Sequence, residues 1–144
     1  MTTPPSEPSL TPVGQLRVNV AAPVELGPSP LGRRRMIAIL GGTLDGEIGT
    51  GTVLPGGADW QIAHDDGSVT ITAEYTIQFT EGDVMTLRSI GVRSFRDGAD
   101  SPPHFRTSIV FGAESHRAAL NHNLYVSTGT REGGIVTLQL FRVD

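Results

Sequence analysis

The stretch from Ser68 to Phe79 constrains the fold more than any other part of the chain. In SVTITAEYTIQF, Val69, Ile71, Ala73, Tyr75, Ile77 and Phe79 alternate with Thr70, Thr72, Glu74, Thr76 and Gln78. A period of two sends the first set to one face of a β-strand and the second to the other, so the segment reads as a strand with one face buried. HDDG, just before it, ends in Asp-Gly, a hairpin signal that joins this strand to one carrying Trp60.

Similar runs recur over residues 14–22, 34–42, 46–54, 82–95, 104–111, 123–130 and 134–143, separated by Gly, Pro, Asp and Asn clusters. Eight or nine short strands joined by short turns predict an all-β fold, a single small antiparallel β-barrel of about eight strands with a central ligand cavity. Closure removes the exposed edges that a sandwich has to protect. In VMTLRSIGVRSF the apolar parity changes between Leu87 and Ile90, which predicts a bulge near Ser89 or Gly91. A short helical turn is expected over 113–122. Prolines at 4, 5, 8 and 12 mark residues 1–13 as a disordered arm, leaving 14–144 as the barrel domain.

Composition excludes several chemistries. There is no cysteine, hence no thiolate nucleophile and no disulfide framework, and there is no lysine to form a Schiff base. A net charge of −4 without a basic stripe argues against nucleic acid. The Arg33–Arg34–Arg35 triplet reads as a solvated hairpin end. No stretch nears the roughly 20 apolar residues of a membrane helix, and one tryptophan with two tyrosines cannot form the aromatic girdles of a membrane barrel. The opening residues lack a signal-peptide pattern, so a cytoplasmic location is expected. Phosphate-binding and dinucleotide-binding glycine motifs and the nucleophile elbow are missing, His116 and His122 lack the spacing of helical metal ligands, and neither cofactor nor metal is implied.

PLGRRRMIAILGGTLDGEIGTGTVLPGGADW (30–60), followed by TAEYTI, HFRTSIVF and ALNHNLYVSTGTREGGIVTLQLFRV, resembles the bacterial and fungal family called domain of unknown function 3237. The resemblance covers about residues 14–143 and is most specific from Gly41 to Trp60. It implies a small antiparallel barrel, with some members serving natural-product pathways in cofactor-independent ring-forming or addition chemistry. PGGADW matches the family pattern closely. His104, Ala119, Glu74 and Ser89 stand where Tyr, Trp, a basic residue and Asn are usual.

Asp59 is the leading acid–base candidate, since a carboxylate held in a poorly hydrated cavity is driven toward its neutral form. Alternation sends Asp59 and its neighbour Trp60 to opposite faces unless the backbone bulges after Gly57. Trp60 is then either a stacking wall for substrate or core filling. Arg106, if its face points inward, steadies developing negative charge, and Tyr75, on the apolar face, offers a hydroxyl donor. Phe105 shapes the pocket and His104 stands at its mouth as a proton shuttle. Glu74 either is solvated or forms a carboxylate pair with Asp59, and Asn121 gates the mouth or caps backbone.

Together with what the resemblance implies, these residues predict a cofactor-independent enzyme of natural-product or small-molecule metabolism. It would carry out cyclisation, isomerisation or addition and elimination on a compact apolar substrate, with a homodimer as its expected form. The alternatives are a lipocalin-like carrier of a hydrophobic metabolite, without catalysis, and a solidly packed barrel that serves only as a subunit of a complex, which predicts no internal cavity and a large exposed apolar patch.

Overall fold

The computed structural model describes residues 2–144. Nine strands follow in order: β1 (Leu10–Val20), β2 (Val24–Ser29), β3 (Gly32–Asp45), β4 (Gly51–Ala63), β5 (Val69–Phe79), β6 (Val84–Ser94), β7 (His104–Gly112), β8 (Leu124–Glu132) and β9 (Ile135–Val143). A 3-10 helix over Ser115–His122 links β7 to β8. All pairings are antiparallel, in the order β1-β9-β8-β7-β6-β5-β4-β3-β2, and β1 also pairs with β3. That last pairing closes β1 and β3–β9 into an eight-stranded barrel, with β2 an extra strand on β3 beside the seam. β1 begins at Leu10, so residues 10–13 of the expected arm belong to the barrel, while Met1 lies outside the described residues.

Three local expectations change. Residues 51–54 of the expected 46–54 run and the strand of Trp60 are one strand, β4, because Pro55-Gly56-Gly57 is a bulge within it: pairing to β5 shifts between Leu54 and Ala58, while residues 46–50 turn between β3 and β4. A Cβ on Gly57 would stand 2.3 Å from the Glu74 carbonyl oxygen, so only glycine lets the two strands meet there. The bulge predicted at Ser89 or Gly91 is not formed. β6 pairs with β5 without a shift from Val84 to Arg93, which leaves Ile90 and Val92 on the outside and sends Ser89, Gly91 and Arg93 inward. Finally, β2 falls partly in a segment read as a turn.

Inward-facing aliphatics fill most of the barrel. Leu16, Leu44, Ile77, Met85, Leu87, Leu138 and Leu140 are fully buried, and Phe111 packs edge-on against Tyr125 at 4.8 Å. The 3-10 helix covers the end of the barrel where β5 finishes and β6 begins. Its Arg117 donates to Asp83 (2.7 Å), to Glu81 (2.6 Å) and to the Ile48 carbonyl (3.0 Å), with the guanidinium 3.4 Å from the centre of the Phe79 ring. The opposite end, where β6 finishes and β7 begins, is lined by polar groups.

Candidate functional site

Strand register sets polar side chains on two adjacent rungs inside this second end. Asp59 pairs with Ala73 and Ala73 with Ser89; on the next rung Arg35 pairs with Gln61, Gln61 with Ile71, Ile71 with Gly91 and Gly91 with Thr107. Ser89 donates to Thr107 at 2.7 Å and Thr107 is hydrogen-bonded to Ser127, giving a buried hydroxyl chain across β6, β7 and β8. Alternation along β3, β6 and β8 then carries the inward face out to Arg35, Arg93 and Arg131 at the mouth.

Asp59 sits at the bottom of this arrangement. Gln61 Nε2 donates to its Oδ2 at 2.7 Å, and Arg35 donates to Gln61 Oε1 at 2.7 Å, so the amide passes the arginine's polarisation to the carboxylate. Its other oxygen, Oδ1, is shut off from solvent and has no hydrogen-bond partner; the same holds for Arg35 Nε. Burial raises the Asp59 pKa above the ordinary carboxylate value, against the opposing pull of the Gln61 hydrogen bond and of Arg131, Arg93 and Arg35. Desolvation therefore outweighs three cations. Tyr75 is buried in the same interior, and desolvation first, then the Asp59 charge, push its phenol far up, so it is a neutral donor across the physiological range.

The space beside Asp59, lined by Ile37, Gln61, Ile71, Arg93, Phe105 and Arg131 among others, is about 10 Å³, room for about one water. A cleft of about 370 Å³ shares Arg93, Phe105 and Arg131 with it and is walled by Phe95, Pro102, Pro103, Gly129 and Thr130, with the exposed Glu132 on its rim. The ligand-sized space of this end is thus a mouth cleft with a carboxylate beneath it; the expected central cavity is narrowed by the packed aliphatics below. Gly129 allows the Phe105 ring to lie flat over β8, since a Cβ there would stand 2.8 Å from it.

Of the residues singled out from sequence, the structure gathers Asp59, Tyr75 and Phe105 inside the barrel. It separates the others from them. Trp60 is half exposed on the outer face, in a shallow groove with Leu26, Arg34 and Ile62, because the Pro-Gly-Gly bulge ends before Ala58 and normal alternation resumes at Asp59. Arg106 points outward between inward Phe105 and Thr107 and donates to the Phe105 carbonyl at 3.0 Å. Glu74 is outside as well, 3.0 Å from Arg88 in an exposed ion pair, so no carboxylate pair with Asp59 forms. His104 lines neither the Asp59 pocket nor the cleft, and desolvation together with Arg96 and Arg106 lowers its pKa. Asn121 lies at the far end, where its amide brackets the Ala113 backbone, donating at 2.7 Å and accepting at 3.2 Å; its role is a backbone clamp.

Four residues of the site were missed: Gln61, Arg93 and Arg131 were not singled out, and Arg35, read with Arg33 and Arg34 as a solvated hairpin end, instead turns inward to Gln61. Parity would have found three of them, since Arg35 is in phase with Ile37 and Ile39, Arg93 with Met85 and Leu87, and Arg131 with Tyr125. Among the described residues, no three His, Asp or Glu side chains gather as metal ligands, and no helix is long and apolar enough to cross a membrane.

A closed antiparallel ring with a packed floor and a polar mouth defines the chain as a small β-barrel protein. It belongs to the family described as Protein of unknown function (DUF3237), whose family model matches residues 8–143. A UPF0311 protein of Clostridium acetobutylicum is 29% identical over 92% of this chain and 92% of its own length. A β-barrel-like protein of Acinetobacter baumannii superposes with a TM-score of 0.91 at 27% identity, covering 99% of this chain and all of that one. An enzyme from Penicillium herquei shares the fold at a TM-score of 0.77 and 18% identity, over the whole of both chains.

Proposed function

We propose that this protein is a cofactor-independent enzyme of natural-product or small-molecule metabolism. It moves a proton on a compact, largely apolar substrate seated in the mouth cleft, leading to cyclisation, isomerisation or addition and elimination. The observation that carries this reading is Asp59 Oδ1: a buried, unpartnered carboxylate oxygen, its pKa raised by desolvation, beneath a ligand-sized cleft. Asp59 takes up and returns the proton. Arg93 and Arg131, in the place first given to Arg106, steady negative charge that develops on a substrate oxygen, and Phe105 supports the flat part of the substrate. Holding one reactive conformer against that floor contributes to the rate as well. That one protein of the same fold is described as an enzyme is consistent with this reading.

The carrier reading seats its ligand in the same cleft, so turnover and not the cavity separates the two. The test incubates a panel of compact unsaturated carbonyl and phenolic compounds with the protein in deuterated water and follows C–H exchange and new products by NMR. Asp59→Asn should lower the rate by about 10²- to 10⁴-fold without weakening ligand binding. Equal rates in the two proteins would remove Asp59 from the chemistry, and saturable binding without turnover in either would return the carrier.

A further inference from the structure

The mouth carries more positive charge than it has partners for. Among the described residues, six ion pairs engage Arg88, Arg96, Arg117 and Arg142, and none engages Arg35, Arg93 or Arg131. Arg35 hydrogen-bonds Gln61, and Arg131 Nε donates to the Gly133 carbonyl at 3.2 Å. Three guanidinium groups therefore face one buried carboxylate, Asp59, and one exposed carboxylate on the rim, Glu132, and a positive surplus remains with both ionised. It does not follow from a basic composition, since the whole chain carries −4. Nor is it relaxed: burial and the charges of Arg131 and Arg35 make the charged form of Arg93 less favourable than that of an ordinary arginine. Like charges held together at a concave, partly desolvated site are a standing cost that an anion removes.

The walls narrow the choice of anion. Phe95, Pro102, Pro103 and Phe105 present rigid apolar surfaces, and Gly129 keeps the floor under the Phe105 ring flat. A small hydrated anion would leave these walls unused. We propose that the mouth binds an organic oxyanion, a flat unsaturated body carrying a carboxylate or phenolate oxygen, with the oxygen held by Arg93 and Arg131 and the body laid on Phe105. This names the substrate class of the reading above and rests on it only in taking the cleft as the substrate's seat.

The test uses benzoate, its neutral counterpart benzamide, and inorganic phosphate, titrated into the full chain by calorimetry with NMR mapping. Benzoate should saturate below about 10 mM, at least about tenfold tighter than benzamide, with shifts at Phe105, Gly129 and Arg131. Arg93→Gln and Arg131→Gln should each weaken benzoate about tenfold and leave benzamide unchanged, and Asp59→Asn should tighten benzoate by removing a like charge. Should both glutamine variants fail to fold, the wild type in about 0.5 M salt supplies the same comparison, losing affinity for benzoate alone. Benzoate and benzamide binding equally, phosphate binding as tightly as benzoate, or no saturation by benzoate overturns the proposal. The two readings fail separately. Benzoate affinity enhanced in Asp59→Asn, with no proton transfer by the wild type, keeps the anion site and removes the acid–base role; turnover lost in Asp59→Asn without benzoate binding does the reverse.

Discussion

At the residue scale, Asp59 is a group kept at the expense of stability. Its folded-state pKa lies above the unfolded value of 3.8, so the fold tolerates its neutral form better than its charged form. The stability associated with protonated Asp59 is fully present below pH 3.8 and is lost as pH rises through the raised folded value. Asp59→Asn should therefore melt at a higher temperature than the wild type at pH 7, with the gap closing as pH falls toward 3.8. A melting series over that range checks it; a variant less stable at pH 7 would mean that the surrounding arginines, and not desolvation, control the group. Asp59 was legible in sequence from its place after Pro-Gly-Gly, and Tyr75 and Phe105 from strand parity. Arg35, Arg93 and Arg131 were obscured because an arginine at a strand end ordinarily lies in water. Only closure of the ring turns these three ends toward one point.

At the element scale, the 3-10 helix is tied down by Arg117 as well as by the Asn121 clamp on Ala113. Arg117 is 11% exposed, spans Asp83, Glu81 and the Ile48 carbonyl, and covers the Phe79 ring. Arg117→Ala should cost about 2 kcal/mol, lowering the melting temperature by roughly 4 to 8 °C, through lost packing, cation–π contact and an unanswered carbonyl. Since the Arg117 site lies at the far end from Asp59, ligand binding at the mouth should be unchanged in the folded variant, which calorimetry reads directly. The strands themselves were legible wherever one face is apolar and the other polar, as in β5. Two features broke that rule for physical reasons. In β4 a bulge continues a strand that Pro-Gly-Gly ordinarily ends. In β6 the interior positions Ser89, Gly91 and Arg93 belong to the polar mouth while Ile90 and Val92 cover the outside, so hydrophobicity there marks the wrong face.

At the scale of the whole molecule, those outer apolar groups give the barrel a patch: Ile90, Val92 and Val110 are 42%, 38% and 61% exposed on neighbouring strands β6 and β7. Two copies are expected to pair through this face. Sedimentation equilibrium should report a dimer that Val110→Lys converts to monomer, and a wild type that stays monomeric at all concentrations would sink the expectation. The class of fold was readable from the rhythm of strands and turns, whereas the seam was not, because no local signal announces that β1 will pair with both β3 and β9. That seam has a consequence for synthesis. Ser9 and Asp144 exchange two backbone hydrogen bonds, 3.1 and 2.8 Å long, so the earliest strand, paired with β3 on one flank, waits for the latest strand on the other. On the ribosome, the growing sheet therefore carries bare edges until translation has delivered β9, and refolding is expected to be slow, as it is for topologies dominated by distant strand pairs.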